Sequence, residues 1–347
     1  MKRSLLADIF CPACVGTLNL KVLEQLGDQI VDGELRCVRC ERCYPIRKGI
    51  PNLMPPSDFT PLKSNEMQGW VSLWKKQGMY SHPTFEDSFK LPFLDGGVWP
   101  EVARMFELAL REMNLKGDEV ILDVGAGQGW AARYFAEKGC RVIAIDLVDD
   151  EWYGLGRSWA IMEYAGVYFE PVLADGEDLP FFDNRFDIVF FCGALHHFHK
   201  FDRILRQVYR VLKPGGRLIA SGEPSVSIFA KEQDALALLE EVNVGITERR
   251  PKVYEYWMSL KRAGFGDVSI NTFETYNAPT LQVYNWIALV RQNMYRTVKR
   301  GYKLFVWLAF SVLLMLPHRW TKRIALFLNG GNLLLRAIKS AHRKSVC

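Results

Sequence analysis

Hydrophobic positions along this chain fall into runs of two kinds, and their spacing predicts most of its elements. Short, nearly unbroken apolar runs at Val120-Ile-Leu-Asp-Val124, Arg141-Val-Ile-Ala-Ile-Asp146 and Phe186-Asp-Ile-Val-Phe-Phe191 suit strands covered on both faces of a parallel sheet. Between them, apolar residues recur at helical spacing: 102, 105, 106, 109 and 110 in a helix from about Val98 to Asn114, then residues 131 to 138, then Tyr254 to Ala263 ending at Gly264. Arg217-Leu-Ile-Ala220, after the Pro214-Gly215-Gly216 turn, predicts a fifth strand, and Asp267 to Phe273 a sixth. Alternation of this kind predicts an α/β fold with a doubly wound, mostly parallel, Rossmann-like sheet. Residues 225–250 read as an insertion holding an amphipathic helix, about Ala230 to Val242. The seventh strand has no clear candidate: Trp286 to Val290 fits it, or begins a helix after Pro279.

Both ends of the chain depart from this rhythm. Residues 1–56 form a small first unit, and Pro51 to Pro61, with four prolines, is a linker. Within residues 57–116, a helix over 64–80 sets Trp70 and Trp74 four apart on one face, which suits core packing or, with Tyr80, a lid over a substrate. The sheet-forming unit is expected over 117–292, followed by a helical, basic tail over 293–347. Leu304 to Leu316 is a thirteen-residue apolar run bracketed by Lys299, Arg300 and Lys303 and by Arg319, Lys322 and Arg323. A bilayer span needs about 20 such residues, so this run suits an interfacial helix instead. A second apolar stretch, Ile324 to Leu328 and Leu333 to Leu335, is broken by Asn329-Gly-Gly-Asn332. The two stretches read either as a helical hairpin packed on the preceding domain or as a membrane contact.

Charge sharpens the reading of the tail. The net charge is +5, yet no acidic residue follows Glu274, whereas twelve lysines and arginines do, which leaves the first 274 residues at −7. Such polarity points to an anionic partner, lipid headgroups or nucleic acid. Nucleic acid ranks lower because the basic residues bracket apolar runs instead of interleaving with stacking aromatics. Met1-Lys-Arg-Ser-Leu-Leu lacks the apolar core of a secretion signal. The expectation is therefore a cytoplasmic protein, peripheral to the inner face of the membrane where residues 296–347 make that contact.

The chemistry centres on Asp123-Val-Gly125-Ala126-Gly127-Gln-Gly129-Trp130, a glycine turn directly after a buried strand. Glycines there let the backbone approach a ligand at a helix N-terminus. Trp130 stands where a G-x-G-x-x-G dinucleotide fingerprint needs its third glycine, and no G-x-x-x-x-G-K-[ST] run is present. The D-x-G-x-G-x-G pattern instead resembles motif I of the class I S-adenosylmethionine-dependent methyltransferases. Four further pieces follow in order: Asp146 with Leu147 at the end of the second strand, Asp175-Gly176 after Val172-Leu-Ala, Cys192-Gly-Ala-Leu-His196-His197 after the fourth strand, and Pro214-Gly215-Gly216. The series resembles the ubiquinone and menaquinone biosynthesis type over residues 117 to about 223. That resemblance implies S-adenosylmethionine as cofactor, with Asp123, Gly125, Ala126, Gly127, Gly129, Asp146, Leu147, Asp175, Gly176 and Cys192 around it. Asp146 would accept the ribose hydroxyls and Asp175 would face the adenine amino group, while Asp123 would orient the turn or the cofactor's ammonium.

Five of the eight cysteines lie in the first 43 residues, which favours metal ligation over disulfides. Two C-x-x-C knuckles about 22 residues apart place four thiolates around one zinc ion, and so small a unit needs such a staple. Cys40-x-x-Cys43 competes with Cys37-x-x-Cys40 as the second knuckle. The run from Leu35 to Pro51 resembles the small zinc-ribbon proteins that activate certain tRNA and translation-factor methyltransferases. On that resemblance Cys11, Cys14, Cys37 and Cys40 are the zinc ligands and Cys43 is spare.

Methyl transfer from a sulfonium is an in-line displacement in which holding nucleophile and methyl together dominates. His196 and His197 follow the fourth strand, where the acceptor should sit, and are the candidates for taking a proton from it. The expected acceptor is a small or lipid-linked molecule. The alternatives are an RNA base methyltransferase, against which the Cys192-to-His197 loop lacks an Asn- or Asp-Pro-Pro-Tyr-like signature, and a non-enzymatic scaffold with a vestigial cofactor site.

Overall fold

The computed structural model describes residues 1–54, 61–77, 86–237, 239–277, 323–324, 326–328 and 330–341. The first 54 residues form a four-stranded antiparallel ribbon, β1 (Leu18–Leu26), β2 (Gln29–Cys37), β3 (Cys43–Arg47) and β4 (Ile50–Pro51), paired in chain order. Then come α1 (Pro61–Gln77), α2 (Glu86–Lys90) and α3 (Trp99–Met113), followed by β5 (Val120–Val124), α4 (Trp130–Glu137), β6 (Arg141–Asp146), α5 (Ser158–Ala165), β7 (Glu170–Leu173) and β8 (Phe186–Cys192). The chain continues through α6 (Phe201–Val211), β9 (Leu212–Val226), α7 (Glu232–Leu236), α8 (Glu240–Asn243), α9 (Val253–Ala263), β10 (Asp267–Thr272), α10 (Phe273–Asn277) and β11 (Gly330–Ile338).

The large sheet has the order β10-β11-β9-β8-β5-β6-β7. Strands β5 to β9 pair in parallel, and β11 lies antiparallel between β9 and β10. Burial follows from this arrangement. The strands of this sheet are covered on both faces, so central β5 is buried at four of five positions and even the edge strand β7 at all four, whereas β1 alternates towards solvent. Helices pack on each face through single stripes: Ile204, Leu205, Val208 and Val211 of α6 on one side, Met105, Phe106, Ala109 and Met113 of α3 on the other. At the end of α3, Asn114 takes the left-handed conformation that terminates a helix, and Gly264 does the same for α9.

Ribbon and sheet share one core. Leu5, Ile9, Leu35 and Ile46 of the ribbon are continuous with Val124, Ile145, Phe181 and Leu205. The backbone joins them as well: Leu53 N–H donates to Leu173 O at 2.8 Å, Phe182 N–H to Asp8 O at 2.8 Å, and Phe10 N–H to Pro180 O at 3.0 Å. The ribbon therefore covers β7, which would otherwise be an open sheet edge.

Two expectations need correction. The seventh strand is Gly330–Ile338, so the last part of the chain is not wholly helical and the sheet-forming unit runs past residue 292 to residue 338. Leu333, Leu334 and Leu335 are buried strand positions, and Gly330 and Gly331, at φ +68° and +128°, start the strand instead of breaking a helix. Burial between two neighbours fixed this segment, a tertiary effect that its own pattern does not express. The single amphipathic helix expected over 230–242 is two short helices, α7 and α8. Trp286 to Val290, the apolar run 304–316 and Tyr80 lie outside the described residues. Among the described residues, no helix is long and apolar enough to cross a membrane.

Candidate active site and metal centre

The site is built first by backbone. Gly125 N–H and Ala126 N–H both donate to Ile145 O at 3.0 Å, which ties the turn after β5 to β6. Gly129 has φ +85°, and a Cβ there would sit 2.5 Å from the Phe169 ring, so only glycine passes under that ring into α4. A Cβ on Gly125 would lie 2.7 Å from that of Ala194. Asp146, at the tip of β6, accepts from Gly127 N–H at 2.7 Å and Val148 N–H at 2.9 Å. Asp123 is buried beneath the turn. Burial, then the neighbouring Asp146, pushes its carboxyl up to about 8, and its Oδ2 has no hydrogen-bond partner among the described residues.

Above the turn lies a cavity of about 410 Å³. Gly125, Ala126, Gly127, Asp146, Leu147, Gly176 and Cys192 line it. Gly129 sits behind the turn at the start of α4, and Asp123 lies below. Asp175 is set back from the lining: its carboxylate pairs with Lys63 of α1 and caps the next turn through Glu177 N–H at 2.9 Å. An adenine-facing role for that carboxylate would require the Lys63 pair to open, whereas Ala174 and Gly176 already border the cavity. The opposite wall is α1, with Trp70 and Trp74 at its surface, together with Trp99 of α3.

The two histidines are separated by their surroundings. His196 is 6% exposed, with its Nδ1 2.8 Å from Glu223 Oε2 and its Nε2 3.5 Å from Glu248 Oε2. Glu223 also accepts the backbone N–H groups of Ala194, Leu195 and His196 at 3.0–3.2 Å, so it is an ionised cap for that turn and His196 Nδ1 carries the proton. His197 lines the cavity. Its Nδ1 is 2.7 Å from Thr247 O and 3.1 Å from Glu248. A carbonyl only accepts, so Nδ1 is the donor and the Nε2 lone pair is left for a ligand. Burial lowers the His197 pKa, but the Glu248 carboxylate and Thr247 carbonyl outweigh it and raise the ring above its ordinary value. His196 is lowered, by burial and by His197.

Glu223, Glu248, Glu66 and Lys63 were not expected as site residues. Glu66 carried a usable signal, since it lies one turn before Trp70 and two before Trp74 on one face of α1. Glu223 is an acid just past the apolar run of β9, much as Asp146 follows that of β6. Glu248 lies between α8 and α9, outside any helix or strand, and carries no periodic signal.

In the ribbon, the sulfurs of Cys11, Cys14, Cys37 and Cys40 lie within 4.8 Å of one another. Cys11 and Cys40 are 3.6 Å apart and Cys14 and Cys37 3.4 Å, close to the roughly 3.8 Å that four thiolates about 2.3 Å from one tetrahedral zinc ion would show. Burial raises the Cys37 thiol, but the N–H groups of Cys40 and Arg39 outweigh it and bring it to about 6, which suits a thiolate ligand. Cys43 is exposed and turned to Glu41 O. The donor set fits a structural zinc ion.

A sheet of this order, with a glycine cradle after its first parallel strand and an acid at the tip of the next, defines a class I methyltransferase fold. The orphaned Asp123 oxygen and the Cβ-free cradle fit S-adenosylmethionine. Comparison with known proteins agrees: residues 122–220 match the family model "Methyltransferase domain" and residues 2–49 match "Trm112p-like protein". The chain thus carries a class I methyltransferase domain behind a Trm112p-like zinc ribbon. It is 33% identical to a sarcosine/dimethylglycine N-methyltransferase of Halorhodospira halochloris over 50% of this chain and 58% of that protein. It is 28% identical to a demethylmenaquinone methyltransferase of Corynebacterium glutamicum over 50% of this chain and 70% of that protein. The chain thus spans little more than half the length of the first of these. Among solved structures, a Haemonchus contortus phosphoethanolamine N-methyltransferase 2, bound to phosphomonomethylethanolamine and S-adenosylhomocysteine, has the same fold. Its TM-score is 0.52 at 16% identity, covering 86% of this chain and 64% of that one.

Proposed function

We propose that this protein transfers a methyl group from S-adenosylmethionine to a small-molecule acceptor. One observation carries the reading: a single cavity has the glycine turn and Asp146 as one wall, and α1 with His197 as the other. When bound, the cofactor supplies a methyl group on a sulfonium sulfur. The turn after β5 would hold it, Asp146 would take its ribose hydroxyls in exchange for a backbone N–H, and Asp123 would balance its ammonium. Trp70 and Trp74 would close over the reacting atoms and exclude water. His197 lines the cavity, and its Nε2 would take the acceptor's proton. Glu223 and His196 set the position of that ring from behind.

A lipid-linked acceptor met at a membrane surface has separate support. Leu333 of β11 pairs with both Glu223 of β9 and Thr272 of β10, so β10 ends and β11 begins at the end of the sheet where the site lies, with residues 278–329 between them in the chain. That segment contains the apolar run and eight of the basic residues. Isothermal titration with S-adenosylhomocysteine tests the cofactor site, and failure to bind would overturn the methyl-transfer reading. Co-sedimentation with vesicles containing about 30% anionic lipid tests the membrane contact. No pelleting at low salt would reduce the acceptor class to soluble small molecules.

A further inference from the structure

We propose that the acceptor is an amine on an apolar body, held as its ammonium cation between Glu66 and the tryptophan face of α1. The inference rests on the methyl-transfer reading and narrows its substrate. Offsets of four and eight residues stack Glu66, Trp70 and Trp74 along one side of the helix, and all three border the cavity. The rings run on from there. Trp74 is 5.8 Å from Tyr153, Trp70 is 5.1 Å from Trp74, and Trp70 meets His197 edge-on at 4.8 Å. Such a row of π-systems attracts a cation, and Glu66 at its end supplies the opposite charge.

The neighbouring charges favour the same ligand. Lys63 shares the helix face, but its ammonium is taken by Asp175, with Glu177 3.9 Å away. Glu241 borders the cavity as a further acid. Burial pushes the Glu66 carboxyl up to about 7, against the opposing pull of His197 and Lys63, so a cationic ligand would restore its ionised form. A phenolate or enolate acceptor would instead bring negative charge against Glu66 and Glu241. On the same wall, the lone pair on His197 Nε2 can accept the ammonium proton. The freed nitrogen pair then forms the N–C bond as the C–S bond breaks, and the C–S electron pair stays on sulfur.

The test uses the full chain and two isosteric probes, 2-phenylethylamine and 2-phenylethanol, titrated calorimetrically at pH 7 with and without S-adenosylhomocysteine. The amine is expected to bind about tenfold more tightly than the alcohol or better, within the reach of a desolvated cation–π contact beside a carboxylate. Glu66→Gln should shrink that preference to about threefold or less, and Trp70→Leu should reduce it as well. Both variants should keep the parent's thermal unfolding midpoint within about 5 °C, which shows that they fold, and Glu66→Gln should also keep S-adenosylhomocysteine affinity within about threefold. Equal binding of the two probes, equal absence of binding included, overturns the proposal, as does a preference untouched by Glu66→Gln. An amine preference in a chain with no S-adenosylhomocysteine affinity would keep the cation site and overturn methyl transfer.

Discussion

Replacing Glu223 with glutamine removes one charge and exchanges one oxygen for an NH2 group at a fully buried position. The native carboxylate accepts four hydrogen bonds: Ala194 N–H at 3.2 Å and Leu195 N–H at 3.1 Å on Oε1, His196 N–H at 3.0 Å and His196 Nδ1 at 2.8 Å on Oε2. Glutamine keeps a single acceptor oxygen. If that oxygen faces Ala194 and Leu195, the amide NH2 meets the two His196 donors, and two charge-assisted bonds are replaced by donor–donor contacts. At about 1.5–3 kcal/mol per bond to a charged group, the expected loss of stability is about 3–6 kcal/mol. Only His196 can adapt, by moving its ring proton to Nε2, where Glu248 Oε2 waits at 3.5 Å. The double variant Glu223→Gln/His196→Asn should therefore lose less than the sum of the single changes. Urea unfolding followed by tryptophan fluorescence measures all three variants, and hydrogen exchange at residues 194–197 reports the turn itself. A single-variant loss below about 1 kcal/mol, with exchange at those amides unchanged, would refute the view that Glu223 holds the histidine loop together.

Three further outcomes follow from the same geometry. Gly129→Ala must take a left-handed φ and push its methyl into Phe169, so stability should fall by about 2–4 kcal/mol, with weaker S-adenosylhomocysteine binding by calorimetry. The purified chain should hold one zinc ion by elemental analysis; Cys37→Ser should lose it and Cys43→Ser should keep it, while chelation should melt the ribbon in proteolysis assays. Because His197 is raised above its usual 6.5 and would act as a base in its neutral form, the single-turnover rate should climb with pH through a midpoint above 6.5, and His197→Gln should flatten that climb. The linked stability has the opposite sign: the raised ring stabilises the fold fully below 6.5 and loses that contribution as pH rises through its folded value.

How much of this was legible in the chain differs from place to place. The parallel strands were readable because burial on both faces demands unbroken apolar runs, and the glycine turn because its spacing has few other uses. The zinc knuckles were equally plain, since four thiolates at that spacing have one common purpose. Strand β11 was not legible. Its Gly330-Gly331 start resembles a helix break, and its partners lie roughly 60 and 110 residues earlier, beyond any local pattern. At the site, Asp146 was visible as an acid ending an apolar strand, yet Glu223, its counterpart on β9, was passed over because it sits where the motif series ends. Glu248 needed the fold itself, since only packing brings it to both histidines. Asp175 shows the reverse: its position in the series marks it as a ligand-facing acid, while the contact made by its carboxylate is to Lys63 on a helix more than a hundred residues earlier.

The insertion point of residues 278–329 has a mechanical consequence. The segment is preceded by β10 and α10 and followed by β11, whose Leu333 pairs with both Thr272 and Glu223, so its described flanks meet the sheet beside the site. Closer in, Ile228 N–H donates to Phe327 O at 3.2 Å, and Leu326 is buried. A surface that engages these described flanks is then held at short range from the site. A weak contact there would act as a high local concentration of that surface's own molecules, rising without any change in the affinity of the cavity for them.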